Sequence, residues 1–123
     1  MDNLVFEDLT IEASDPGPGQ PIRLSWLGKS NHRQPGKVIG PYLLGVATAA
    51  GERKVPVEMH FERLDYFNSS SISTIIQFIQ EARARSVRLV ILYNPALRWQ
   101  RLSFDALRVF SKGDNMLELK AIA

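Results

Sequence analysis

Between Asp65 and Ile72 the chain reads Asp-Tyr-Phe-Asn-Ser-Ser-Ser-Ile, and the chemistry-bearing residues are Asn68, Ser69, Ser70 and Ser71. They stand immediately ahead of a helical pattern, where unpaired backbone N–H groups stabilise negative charge. One use of such residues is a plain cap: Asn68 or Ser69 accepts from first-turn N–H groups, a contribution of about 1 kcal/mol. The other is a phosphorylation switch, since three consecutive hydroxyls exceed what one cap requires. On physics alone the cap is favoured.

Other chemistries find weaker support. A hydrolase needs a serine, a base and an orienting acid, and Ser69, His60 or His32, and Asp65 supply the types. No Gly-x-Ser-x-Gly elbow surrounds any serine, and His60 precedes Phe61 in a strand pattern. Gly28-Lys29-Ser30 invites a phosphate-loop reading, but position 23 is arginine where that motif has its upstream glycine. Two histidines and no cysteine make a poor metal inventory, and no cofactor motif emerges. Tyr66, Phe67, Tyr93 and Trp99 with nearby arginines offer stacking surfaces for bases, yet no nucleic-acid motif accompanies them.

The elements that must position these residues follow from patterning. Residues 4–12 read as a partly alternating strand, 15–19 as a Pro/Gly turn, and Ile22, Leu24 and Trp26 as a half-buried strand, together an opening hairpin. Residues 28–36 form the most polar connection and read as an exposed loop. A helix is expected over about 41–50, followed by a strand carrying Val55, Val57, Met59 and Phe61 on one face, with Pro56 marking an edge or entry point. After a short polar loop, Ile72, Ile75, Ile76, Ile79 and Ala82 share one helical arc, with Ser73, Gln77, Gln80 and Ala84 opposite. Residues 87–93 (VRLVILY) read as a strand covered on both faces. Ser103 is the expected cap of a third helix carrying Phe104, Leu107 and Phe110, with Gly113 as its stop, and residues 116–122 form a last strand. The expected order is ββαβαβαβ: one α/β domain over 1–123, with three main helices on a mixed sheet.

Composition bounds the function. Hydrophobic content of 45% and charged content of 23% are ordinary for a globular chain, and 123 residues suffice for a conventional core. The acidic, alternating N-terminus lacks the flank and apolar run of a signal peptide, and no apolar stretch approaches a membrane span. Without cysteine, a cytoplasmic location with no membrane insertion is the expectation. The net charge is +2, with acids gathered before Pro16 and arginines between Arg83 and Arg108. A solvated face is the favoured use of those arginines, an acidic protein partner the next, and nucleic acid is not expected.

The run from Asp65 to Ile72, after a strand and before a helix, resembles the signature of STAS domains, the anti-sigma-factor-antagonist family. Members carry an apolar residue, Asp-Ser-Ser or Asp-Ser-Thr, then Gly and an aliphatic residue. The aromatic-Asn-Ser-Ser-Ser form here is closer to the SiaC-type regulators of bacterial biofilm signalling, which also share a Gly-x-Ser at the end of the second strand, here Gly28-Lys29-Ser30. By this resemblance Ser69 matches the phosphorylated residue, Asn68 stands where the anti-sigma antagonists have aspartate, and Ser71 stands where they have glycine. The implied function is a non-enzymatic signalling switch. Its implied partners are a serine/threonine kinase, a metal-dependent serine/threonine phosphatase, and a downstream diguanylate cyclase or anti-sigma factor. Loops at the carboxyl ends of parallel strands share one rim, so Lys29, Ser30, Arg33, Tyr66, Asn68, Ser70, Ser71, Arg98 and Trp99 are the expected partner contacts. The alternatives are a STAS-like scaffold or small-ligand module that is never phosphorylated, and a hydrolase whose pocket the sequence does not reveal.

Overall fold

The computed structural model describes residues 1–122. Leu4–Phe6 (β1) and Leu9–Ser14 (β2) form a tight hairpin through Glu7, whose φ is +54°. The single strand expected over 4–12 is therefore two. After the Pro/Gly turn, Ile22–Ser30 (β3) runs antiparallel to β2, as the opening hairpin requires. Gly28 to Ser30, expected in a loop, are the end of this strand.

β3 serves two parallel partners in succession. Ile22 to Ser25 pair with Val57–His60 (β4), and Gly28 to Ser30 pair with Leu64–Phe67 (β5). Between β4 and β5 the chain leaves the ladder at Phe61 to Arg63. Where a polar loop was expected before the second helix, the chain thus makes a further strand. Gly28 sits at the register shift with φ +86°, and a Cβ there would lie 2.0 Å from the Asp8 carbonyl oxygen. That oxygen accepts from the Lys29 N–H at 3.1 Å, so only glycine lets the β1–β2 turn close on β3.

The remaining order is α1 (Ile39–Arg53) before β4, then α2 (Ser69–Ala84), β6 (Leu89–Tyr93), α3 (Arg98–Ala106) and β7 (Leu117–Ala121). Short 3-10 turns, Pro35–Lys37 and Leu107–Phe110, precede α1 and follow α3. Helix α1 is longer than expected and adds Ile39 and Ala47 to the buried Leu43, Val46 and Ala50. In α2 the buried side is turned from the isoleucine arc: Ser71, Thr74 and Phe78 join Ile75, Ile79 and Ala82, while Ile72 and Ile76 are half-buried. Helix α3 starts five residues before the expected cap, so Ser103 lies inside it and Trp99 belongs to its first turn, not to a loop. No side chain caps α3. Its entry is organised by Asn94, whose Oδ1 accepts from the Ala96 N–H at 3.0 Å and whose carbonyl accepts from the Leu97 N–H at 3.2 Å.

The sheet runs β1-β2-β3-β4-β6-β7 with β5 beside β3. β3, β4, β6 and β7 are mutually parallel and are added in one direction. Right-handed crossovers that always step the same way put every helix on the same face. Burial follows: Val57, Met59, Leu89, Ile91, Leu117 and Leu119 are buried toward the helices. The alternate positions on the other face carry two charged groups, Arg23 with Glu58, His60 and Glu62, and Arg88 with Glu118 and Lys120, on either side of the apolar Val90 and Leu92 of β6. Under the carboxyl end of the sheet, Trp26, Phe61, Phe67, Tyr93 and Phe104 form one aromatic cluster with ring centroids 4.8–6.2 Å apart.

Candidate functional site

The site is the start of α2, where β5 ends at Phe67 and the helix begins at Ser69. Asn68, in extended conformation, is the N-cap, and its Oδ1 accepts from the Ser71 N–H at 2.9 Å. Its Nδ2 donates to the His32 carbonyl at 3.0 Å, and its backbone N–H donates to the Ser30 carbonyl at 3.0 Å. One residue thus ties the helix, the end of β3 and the following loop. An aspartate could cap equally well but has no proton for His32, which gives the amide at position 68 a physical reason.

Ser71 lies beneath this cap. Its Oγ is 2.6 Å from Ser30 Oγ, 2.8 Å from Asn68 Oδ1 and 3.0 Å from the Ser30 carbonyl. The serines are 1% and 3% exposed, so both hydroxyls are spent inside the fold. Ser30 and Ser71, expected among the partner contacts, are corrected to buried supports. Such a pair is favoured because each buried hydroxyl is the other's partner.

Gln100, which no sequence signal singled out, completes this inner layer from α3. It is fully buried, and its Nε2 donates to the Phe61 and Leu64 carbonyls at 2.6 and 3.1 Å. Its Oε1 accepts from the Asn94 N–H at 2.7 Å. These are polar groups where the ladder breaks between β4 and β5, and where β6 gives way to α3; the Phe61 carbonyl also accepts from the Leu64 N–H at 2.9 Å. A glutamine on a helix of otherwise exposed polar residues carries no mark of that task in the sequence.

Above the inner layer the side chains are open. Ser69 is exposed at the first helical position, and Ser70 is half-buried. Asn68 satisfies Ser71, so the N–H groups of Ser69 and Ser70 face outward, as the first donors of a helix do. Lys29 pairs across from Tyr66 in the β3–β5 ladder, and the Tyr66 ring lies 6.2 Å from that of Trp99. Trp99 packs edge-on over Phe67 at 4.9 Å, which anchors the indole on the aromatic cluster. Arg98 precedes it, exposed at the first position of α3. Arg33 is exposed next to His32, whose carbonyl is held by Asn68. The fold therefore brings Lys29, Tyr66 and Trp99 side by side, with Arg98 next to Trp99 in the chain.

The hydrolase grouping is not assembled. His60 faces the side of the sheet away from the helices, its ring nitrogens 3.2 and 3.3 Å from Glu62 and Glu58. His32 accepts from the Gln34 N–H through Nδ1 at 3.1 Å, which leaves the proton on Nε2 toward Glu7 at 3.8 Å. Neither histidine bonds a serine hydroxyl among the described residues. Among them, too, no group of three acidic or histidine side chains is placed to hold a metal ion, and no helix is long and apolar enough to cross a membrane.

No protein-family model matches the chain, and no curated protein matches it. Solved structures do. The chain is similar to the anti-sigma factor antagonist SpoIIAA in its unphosphorylated form, with 16% identity, a TM-score of 0.50, and 80% of this chain aligned to 97% of that one. It is similar also to SpoIIAA of Bacillus, a cell-fate determinant, in the phosphorylated form, with 15% identity, a TM-score of 0.55, and 90% aligned to 91%. The expected α/β class, with three helices on a mixed sheet, matches the SpoIIAA fold, and the described residues of this chain form seven strands where five were expected.

Proposed function

We propose that the chain is a non-enzymatic partner-switching regulator whose docking surface is set by phosphorylation of Ser69. The observation that carries this reading is the division of labour at the start of α2. Ser69 is exposed and free of structural duty, while Ser71 is locked to Ser30 and Asn68. A kinase reaches Ser69 Oγ without opening the fold. The phosphate adds a charge of about −1.5 to −2 and three acceptor oxygens at a helix N-terminus, which accommodates them. The unmodified surface, with Lys29, Arg33, Tyr66, Arg98 and Trp99 around Ser69 and Ser70, docks the partner; the modified one does not. That SpoIIAA holds the same fold and is known in both phosphorylation states supports the reading.

The circuit follows the family resemblance: a serine/threonine kinase adds the phosphate and a metal-dependent serine/threonine phosphatase removes it. A diguanylate cyclase or an anti-sigma factor reads the unphosphorylated form. Within this, the SiaC-type branch is favoured by Asn68, because its amide, and not a carboxylate, serves both Ser71 and the His32 carbonyl. The test is a binding titration with the downstream protein. Wild type and Ser69→Ala bind alike, and Ser69→Asp loses binding; equal binding by all three sinks the switch. Intact mass of protein from its native host shows a species heavier by one phosphate, absent from Ser69→Ala.

A further inference from the structure

The cations of this molecule fall into two populations. Arg23, Arg53, Arg83, Arg85, Arg88 and Arg108 each meet an acid: Glu58, Asp15, Asp114, Glu81, Glu118 and Asp105 in turn. Eight cations form no ion pair among the described residues, and all are exposed: Lys37, Lys54 and Lys112, together with Lys29, Arg33, Arg63, Arg98 and Arg101. The last five lie at the carboxyl rim of the sheet. Lys29 and Arg33 flank the end of β3, Arg63 turns β4 into β5, and Arg98 and Arg101 open α3, whose Gln100 is bonded to that turn.

The rim is more positive than its side chains alone make it. None of the three helices has an acid in its first turn, and α3 begins on a cation, which opposes its dipole. Such an arrangement costs stability in the free chain and is relieved by an anionic surface brought from outside. The same rim carries exposed apolar groups: Tyr66 and Leu97 are 47% and 37% exposed, and the Trp99 ring lies 6.2 Å from that of Tyr66. Exposed aromatic and apolar groups set among arginines are the composition of a protein–protein contact. A nucleic-acid surface instead tracks a backbone with a continuous basic stripe, and here Asp65 is exposed within the patch.

We infer that this rim docks a carboxylate-rich protein surface, with aromatic contact from Tyr66 and Trp99 and the five cations supplying orientation and capture. This rests on the partner-switching reading for its setting and adds a mechanism to it. A phosphate on Ser69 acts as an internal competitor, offering these cations the charge that the partner's carboxylates otherwise supply.

The test uses the full chain and poly-L-glutamate as probe, with single-stranded DNA of matched charge and phosphatidylserine vesicles as the other arms. Arg98→Gln with Arg101→Gln is compared with Arg23→Gln with Arg85→Gln, so each pair removes the same charge and melting curves confirm that both fold. The rim pair is expected to weaken poly-L-glutamate binding about tenfold and the control pair less than about twofold, with binding falling between about 25 and 150 mM salt. Equal losses in the two pairs overturn the inference, as does wild type preferring DNA or vesicles. Ser69→Asp in the same titration separates the two readings. If it binds like wild type while the rim pair loses affinity, acidic docking stands and the switch falls. If the rim pair binds like wild type, acidic docking falls whatever Ser69→Asp does.

Discussion

Two layers of the same site are built on opposite principles. In the inner layer Ser30, Asn68, Ser71 and Gln100 satisfy one another and the backbone around them, and three of the four are at most 3% exposed. In the outer layer Ser69, Lys29, Tyr66, Arg33 and Arg98 are exposed, and none of their charges is matched. The first layer holds the end of the sheet together; the second adds little to stability. Under the proposed switch, separating them lets a phosphate on Ser69 act on docking while the fold stays whole, because the Ser69 hydroxyl is one that the fold does not use.

Substitutions test how clean that separation is. Gln100→Leu removes the side-chain partner of the Asn94 N–H and of the Leu64 carbonyl, while the Phe61 carbonyl keeps the Leu64 N–H. It is expected to cost roughly 2–5 kcal/mol in urea unfolding. A loss below about 1 kcal/mol, within the range of ordinary surface changes, means that water replaces the amide and the inner layer is not sealed. Gly28→Ala forces apart the Asp8 carbonyl and β3 and is expected to cost roughly 2–4 kcal/mol, read as a lowered melting temperature. Ser71→Ala leaves Ser30 Oγ without its partner, about 1–2 kcal/mol in the same assay. For Asn68→Asp the expected loss is about 1 kcal/mol, from the missing donor to His32 set against a carboxylate that suits the helix start. Ser69→Ala changes stability by less than about 0.5 kcal/mol, and Ser69→Asp raises it by about 0.3–1 kcal/mol at low ionic strength. If Ser69→Ala proves as costly as Ser71→Ala, the two layers are one and the proposed division is wrong.

The sequence carried the opening hairpin, the α2 cap and the strands at 57–60 and 89–93 because each rests on local patterning: alternation, a Pro/Gly turn, an Asn before a helical period. What it did not carry depends on partners far along the chain. Strand β5 is four residues with exposed Asp65 and Tyr66 in its middle, and it exists because the end of β3 needs a ladder partner after β4 stops. The start of α3 was misplaced since Ser103 offers cap chemistry, whereas the real entry is an Asn94 turn buttressed by Gln100. Ser30 and Ser71 read as surface serines; only tertiary pairing across 41 residues shows that they are buried. Within the site, the residue types at 68–71 were legible and their division between inside and outside was not.

The one-way order of the sheet has a kinetic consequence. From β3 the parallel strands β4, β6 and β7 are added outward in chain order while β5 returns to β3. Each parallel pairing reaches across an intervening helix, so assembly depends on contacts far apart in sequence. The Ser30–Ser71 bond is one of these: it joins β3 to α2 over α1, β4 and β5, and closes only when all of them are docked. Its formation is expected after the folding barrier, so Ser71→Ala should accelerate unfolding and leave the folding arm of a stopped-flow chevron nearly unmoved. A slowed folding arm instead would place this serine pair in the nucleus. On the expected course, the inner support of the proposed docking site is the last part of this end of the molecule to set.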